Sequence, residues 1–274
     1  MEEPAVIRLR FEDRAIEFKL EMHRNNKKIT NLNELPVSVN MKEEEFESRR
    51  EFESTISNQK MVLREWIKHF VSFSEGPAID FDVGSTEFDI QTLRNTLPKV
   101  HCISLTCSKD EPDEDDHFNA QNFLRAFLPD VRKVGLDRVP LQANLSLQHI
   151  GAVNLQFLGL EYQSGLNLVD ISTWNFEKCM IWTMSYQKLL FELNRFFKLW
   201  IKGSNPRLNE LGIEWDAEIT PDWNVLLKGL KAETDKDEEE EDKKYFTIQN
   251  NRDICAIVTV RHSGDTASVY LEII

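Results

Sequence analysis

The segment Leu155-Gln156-Phe157-Leu158-Gly159-Leu160-Glu161 has a close counterpart on either side of it, Val131-Arg132-Lys133-Val134-Gly135-Leu136-Asp137 and Leu208-Asn209-Glu210-Leu211-Gly212-Ile213-Glu214. Each places aliphatic residues at its first, fourth and sixth positions, a glycine at the fifth and an acid at the seventh. Looser copies of the aliphatic skeleton run through Val100/Ile103/Leu105 and Phe176/Cys179/Ile181. Apolar residues two apart lie on one face of a strand, so each copy reads as a strand with one buried side.

Strands are expected over 78–83, 100–107, 131–139, 155–162, 179–185 and 208–215. Their centres, at Ile79, Ile103, Val134, Leu158, Cys179 and Leu211, recur about every 20 to 32 residues, the period of leucine-rich-repeat coils. The gaps between them are long enough for helical crossovers, which parallel strands require. Residues 89–97 and 119–128 have helical spacing and end before Pro98 and Pro129. The clearest helix spans 186–201, where Tyr186, Leu189, Leu190, Leu193, Phe196, Phe197, Trp200 and Ile201 form one apolar stripe. Gly203 supplies its left-handed stop, and Lys198 and Lys202 suit the negative end of its dipole.

Outside this array, 6–11 and 15–20 alternate apolar and polar residues and read as a hairpin. Residues 23–58 are polar and read as a linker, and 59–73 as a helix burying Leu63, Trp66, Ile67, Phe70 and Val71, stopped by Gly76-Pro77. Two acidic runs, 110–116 and 235–242, read as solvated loops because packed like charges repel. Three strands near the C-terminus predict a small antiparallel sheet. The expectation is an α/β chain in four parts: an N-terminal hairpin and linker (1–58), an irregular leucine-rich-repeat-like solenoid region (59–230), an acidic loop (231–244) and a C-terminal β segment (245–274), with antiparallel hairpins flanking the solenoid.

The composition narrows function. Hydrophobic residues make up 41% of the 274, enough for a packed core. Asp and Glu outnumber Lys and Arg by 47 to 33, for a net charge of −14, the wrong sign for coating a phosphate backbone. Neither a signal peptide nor a membrane span is visible, so an intracellular protein, cytoplasmic or nuclear, is expected, with Cys102, Cys107, Cys179 and Cys255 as reduced, packed thiols. The motifs of nucleophile elbows, phosphate loops and zinc hydrolases are absent from the sequence. His101 and Cys102 point to opposite faces of a strand, and no second His/Cys cluster completes a zinc site. No enzyme activity, cofactor, metal, nucleic acid or membrane is expected.

If the skeleton faces inward, alternation sends Lys133, Gly135 and Asp137, Phe157, Gly159 and Glu161, and Glu210, Gly212 and Glu214 to the open side of the sheet. A row of glycines beside a row of acids (Asp137, Glu161, Glu214) could accept a basic or extended peptide, concave coil faces being frequent binding surfaces. The competing reading is that glycine relieves crowding on a curved sheet.

The stretch Leu193-Asn194-Arg195-Phe196-Phe197-Lys198-Leu199-Trp200-Ile201-Lys202-Gly203-Ser204-Asn205-Pro206-Arg207-Leu208 closely resembles the signature of the nematode type-2 F-box-associated domain, departing mainly at Phe197, where Leu is usual. Physically the motif is an amphipathic helix, a glycine cap at Gly203, a block at Pro206 and a buried strand start at Leu208. Asn194, Phe196, Trp200, Gly203, Asn205, Pro206 and Leu208 are therefore expected to be mainly structural. In that family the domain follows an F-box, which docks on the adaptor of a cullin-type ubiquitin ligase, and is the presumed substrate-recruiting part. The resemblance implies a protein-interaction module and a protein partner. The sequence opens with the hairpin in place of an F-box, so adaptor docking is not expected of these residues. A chain missing its F-box and a stand-alone scaffold or competitor both stay open.

Overall fold

The computed structural model describes residues 5–10, 14–21, 29–30, 32–33, 35–45, 51–56, 60–72, 78–83, 87–88, 90–97, 100–142, 145–163, 166–184, 188–234 and 242–274. Gly76-Pro77, Pro98, Tyr186 and the acidic run over 235–241 lie outside these residues.

In chain order the first elements are strands β1 (Ala5–Arg10), β2 (Arg14–Glu21), β3 (Ile29–Thr30), β4 (Ser38–Glu45) and β5 (Glu51–Ile56), then helix α1 (Leu63–Val71). β6 (Ala78–Asp82), β7 (Glu87–Phe88), α2 (Ile90–Thr96), β8 (Cys102–Thr106), α3 (Glu114–Phe127), β9 (Lys133–Asp137), α4 (Leu147–Gly151) and β10 (Leu155–Glu161) follow. The chain continues with α5 (Leu168–Ile171), β11 (Phe176–Thr183), α6 (Leu189–Ile201), β12 (Glu210–Asp216), α7 (Trp223–Leu227), β13 (Glu233–Thr234), β14 (Lys243–Gln249), β15 (Cys255–Ser263) and β16 (Thr266–Ile273).

β6, β8, β9, β10, β11 and β12 lie side by side in the order of the sequence, each parallel to the next. The skeletons stand in register: Ile103, Val134, Leu158, Cys179 and Leu211 form one row across the sheet, and Leu105, Leu136, Leu160, Ile181 and Ile213 the next. Both rows are buried, at 2% exposure or less. Each crossover carries a helix, including α4 and α5, which are too short for their periodicity to be read from sequence. The helices pack on their sequence neighbours, with α5 against α6 and α6 against α7 making the largest contacts.

The three C-terminal strands do not stand apart as a separate sheet. β16 pairs antiparallel with β12 and hands the sheet on to β15, β14 and β13, giving ten strands in one open sheet. Leu271, Val269 and Ala267 stand opposite Leu211, Ile213 and Trp215 and extend the same buried face, which is why these strands join rather than merely flank.

Two sequence expectations are corrected. The linker over 23–58 contains β4 and β5, which pair with each other while β4 also pairs with β2, so β1, β2, β4 and β5 form a four-stranded antiparallel sheet. Val39 is fully buried and Phe18 stacks on Phe70 of α1 at 3.8 Å, anchoring a sheet whose strands are too polar to show clear alternation. The acidic run 110–116 is likewise not simply a solvated loop. Asp113 caps α3, its carboxylate accepting from the Asp116 amide at 3.0 Å, and Glu114, Asp115 and Asp116 form the first helical turn. Anions there meet the positive end of the helix dipole. Lys109 Nζ donates to Asp116 at 2.8 and 2.9 Å and to Asp113 at 3.0 Å, which neutralises an Asp116 side chain only 3% exposed.

Candidate functional site: the open face of the sheet

Residues alternating with the buried rows form the other face, which among the described residues is half-buried to exposed except at the buried Gly159 and Gly212. A row nearest the strand starts runs Cys102, Lys133, Phe157, Lys178, Glu210, Glu272; a middle row runs Ser104, Gly135, Gly159, Met180, Gly212, Tyr270, Thr259, Tyr245. The outer row runs Thr106, Asp137, Glu161, Trp182, Glu214, Ser268, Arg261, Lys243. Neighbouring strands lie about 4.8 Å apart, so each row is a line of adjacent side chains.

The structure thus brings Asp137, Glu161 and Glu214 into one line and Lys133, Phe157 and Glu210 into another. It also inserts residues the sequence reading passed over. Trp182 of β11 stands between Glu161 and Glu214, and Met180 interrupts the glycine row. The signal was present: Trp182 follows Ile181 as Asp137 follows Leu136 and Glu161 follows Leu160. Tyr270, Tyr245, Arg261 and Lys243 reach this face only through the pairing of β16 with β12, which joins segments far apart in sequence.

The glycines play unequal parts. A Cβ on Gly212 would come within 2.5 Å of Met180 Sδ and 2.8 Å of the Tyr270 ring, because these side chains close over it, Tyr270 Oη donating to Met180 Sδ at 3.2 Å. A Cβ on Gly135 would meet only its neighbour Ser104, at 3.4 Å or more. Beyond the Met180–Tyr270 bridge lies a shallow concavity of about 370 Å³ walled by Trp182, Glu214, Tyr245, Thr259, Arg261 and Ser268 among others.

Charge on this face is partly cancelled in place. Lys178 Nζ donates to Glu210 at 2.6 Å, Arg138 Nε to Asp137 at 3.2 Å and Arg261 Nε to Asp242 at 2.7 Å. The carboxylates of Glu161 and Glu214 have no hydrogen-bond or ion-pair partner among the described residues, and both residues are exposed. Burial, then the nearby Glu210 charge, pushes the Tyr270 hydroxyl above its usual range. Apolar surface adjoins the acids, with Tyr162 43% and Met184 67% exposed at the ends of β10 and β11.

The α6 motif sits on the opposite side and holds structure together. Asn194 Nδ2 donates to the Leu226 and Lys228 carbonyls at 2.6 and 3.0 Å, fastening the turn of α7. Phe196 and Trp200 are buried, as is Leu208 where the chain turns toward β12. Gly203, at φ +95°, ends α6, and its open side receives Asn251, whose Nδ2 donates to the Lys202 carbonyl at 3.0 Å and whose amide donates to Ile201 at 2.8 Å. Asn205, at φ +52°, donates to the Ile171 carbonyl at 2.7 Å, and Pro206 lies exposed beside it. At the strand starts Arg207 donates to Asn154 and Asn175, which also bond each other, and to Glu177 at 2.7 Å, tying three successive connections.

Cys107 and Cys179 are buried and Cys102 and Cys255 half-buried, all free thiols; burial pushes Cys102, Cys107 and Cys179 upward, away from the reactive thiolate. Among the described residues no group of three or more His, Cys, Asp or Glu could hold a metal ion, and no helix is long and apolar enough to cross a membrane.

The comparison with curated proteins returns no match. Among solved structures, a SAM-dependent methyltransferase from Agrobacterium tumefaciens aligns over 81% of this chain and 67% of its own, at 9% identity. Its TM-score of 0.23 is too low to support any argument. Residues 146–213 match the family model described as F-box associated. That segment runs from the start of α4 into β12 and contains α5, α6 and the central strands β10 and β11, so the region that supplies Phe157, Glu161 and Trp182 to the open face is of the type-2 F-box-associated family.

Proposed function

We propose that this chain is a non-catalytic protein-interaction module of the F-box-associated kind, coiled in leucine-rich-repeat fashion, whose open sheet face recruits a protein for ubiquitylation by a cullin-type ligase. The observation that carries the reading is that the family-matched segment supplies the middle of a face lined with partly exposed aromatic side chains and unneutralised acids. Aromatic anchors within a polar surround are the composition of interaction hot spots, and the acids favour a basic partner. Sequence-ordered parallel strands and the Asn154–Asn175–Arg207 ladder support the coil assignment. Such a module works in the cytoplasm or nucleus, without a cofactor.

Proximity labelling in cells with the wild-type chain and a Phe157→Ala/Tyr270→Ala variant tests it. The reading expects a defined set of proteins lost from the variant, and faster ubiquitylation of those proteins when the chain is fused behind an F-box. Retention of every neighbour by the variant would defeat it. Loss of partners without any F-box-dependent ubiquitylation would favour the second reading, a scaffold or competitor that never meets the adaptor.

A further inference from the structure

Resting on the reading of the open face as a protein-binding surface, we infer that Trp182, with Glu161 and Glu214 on either side, forms a slot for an arginine side chain of the partner. The three residues are in register on adjacent strands, β10, β11 and β12, so they share one face and one line. Two strand spacings, about 9.6 Å, separate the backbones of the two acids. An indole partly exposed between them offers a surface on which a guanidinium can stack, with a carboxylate on each side.

Each part favours arginine over other cations. The guanidinium is planar and weakly hydrated, stacks on aromatic faces and presents donors along two edges, whereas an ammonium is a hydrated point charge. The carboxylates are available because neither is already paired, unlike Asp137, Glu210 and Asp242, each of which has a cation beside it. Trp182 and Glu214 also form one wall of the 370 Å³ concavity, leaving room for the residues next to the arginine against Ser268, Thr259 and the Tyr270 ring. Among the residues lining that concavity Glu214 is the only acid, and the one at its other end that Arg261 meets, Asp242, is already held by it, so nothing among the described residues there draws a second cation: the slot takes one arginine and does not extend into a track for a polybasic stretch.

The test uses fluorescein-labelled nine-residue peptides, otherwise Gly and Ser, with Arg, Lys or the neutral isostere citrulline at the centre, and a fourth with Arg at the centre and three residues on. Fluorescence anisotropy with the full chain should rank Arg at least fivefold above Lys and tenfold above citrulline, with no gain from the second Arg. Glu161→Gln/Glu214→Gln should erase the advantage over citrulline. Trp182→Leu, which keeps both charges, should bring Arg and Lys level. Circular dichroism establishes that both variants are folded.

Equal binding of Arg, Lys and citrulline peptides, or no measurable binding of any, would overturn the slot. Tighter binding of the two-arginine peptide would overturn the limit to one cation. In each case, loss of cellular neighbours from the Phe157→Ala/Tyr270→Ala variant would leave the face itself standing, so the two readings fail separately.

Discussion

On β10, Leu158 and Leu160 lie fully buried under the crossover helices, while Phe157 and Glu161, each one residue away, face outward. The same alternation on β9, β11 and β12 makes two surfaces from one set of strands. The covered face is continuous and almost wholly apolar; the open face mixes lysine, acid, glycine and aromatic residues from strand to strand. Removing apolar surface from water stabilises the first, and that constraint admits few residue types at any position. The second is free of it, so chemistry can vary there strand by strand without loss of the fold. On the reading proposed above, recognition belongs to the open face and architecture to the covered one.

The largest test of that division is a pair of truncations. Phe197, fully buried on α6, should cost about 3 to 5 kcal/mol when changed to Ala, because the cavity cannot close beneath a helix pinned at both ends. Trp182→Ala removes a larger side chain, yet its partly exposed position should keep the loss below that of Phe197→Ala, at about 2 kcal/mol. Urea denaturation followed by tryptophan fluorescence and circular dichroism gives both values. A Trp182→Ala loss as large as that of Phe197→Ala would mean that the open face is core, covered by something, and the functional division would collapse.

Asn194 gives the next effect. It is polar yet 8% exposed, and it donates to two carbonyls at the turn of α7. Asn194→Ala leaves the buried Leu226 carbonyl and the part-buried Lys228 carbonyl without that donor and should cost about 1 to 3 kcal/mol. Asn194→Asp should be at least as harmful, since a carboxylate presents no donor. Partner binding through the open face should survive in both variants at temperatures where they remain folded.

How much of this was legible beforehand follows the same divide. The strand order and the covered face could be read because Val134/Leu136, Leu158/Leu160 and Leu211/Ile213 repeat a local pattern that burial on one side imposes. The motif on α6 was readable for the same reason: helix, cap and stop are local. Trp182 and Met180 escaped notice because their strand has no glycine-acid signature, although its aliphatic skeleton fixed their places. Tyr270, Arg261 and Tyr245 were out of reach, since they join the face through the long-range register of β16 on β12. β4, with the sequence Ser-Val-Asn-Met-Lys-Glu-Glu-Glu, was hidden by charge: Val39 and Met41 are the only apolar residues in it, and a sheet partner is what makes it a strand.

Within the open face, the glycines separate crowding from accessibility. Gly212→Ala forces Met180 and Tyr270 apart and should cost about 1 kcal/mol, with loss of their contact. Gly135→Ala meets only Ser104 and should stay within about 0.5 kcal/mol of wild type. Thermal unfolding of the two variants side by side decides this. Equal, large losses would show that both glycines are there to admit the backbone curvature, and would return the whole row to a purely structural role.

The acids divide as the faces do, and pH separates them. Asp113, at the start of α3, is held from the usual 3.8 down to about 2, first by the Asp116 amide and then by Lys109. A carboxyl whose folded pKa lies below its unfolded one stabilises the fold above the unfolded value, and that contribution fades as pH falls from about 4 through 2. Asp113→Asn should therefore lower stability slightly at pH 6 and flatten the acid limb of the stability curve between pH 4 and 2, leaving wild type and variant closest at the acid end. Glu161→Gln and Glu214→Gln, which remove carboxylates without partners, should instead alter what the open face binds. Carboxyl-carbon NMR titration of the wild type measures the Asp113 pKa directly. A value near 4 would mean that the Lys109 and Asp116 contacts do not hold in solution, and would erase the contrast between acids spent on the helix start and acids left free for a partner.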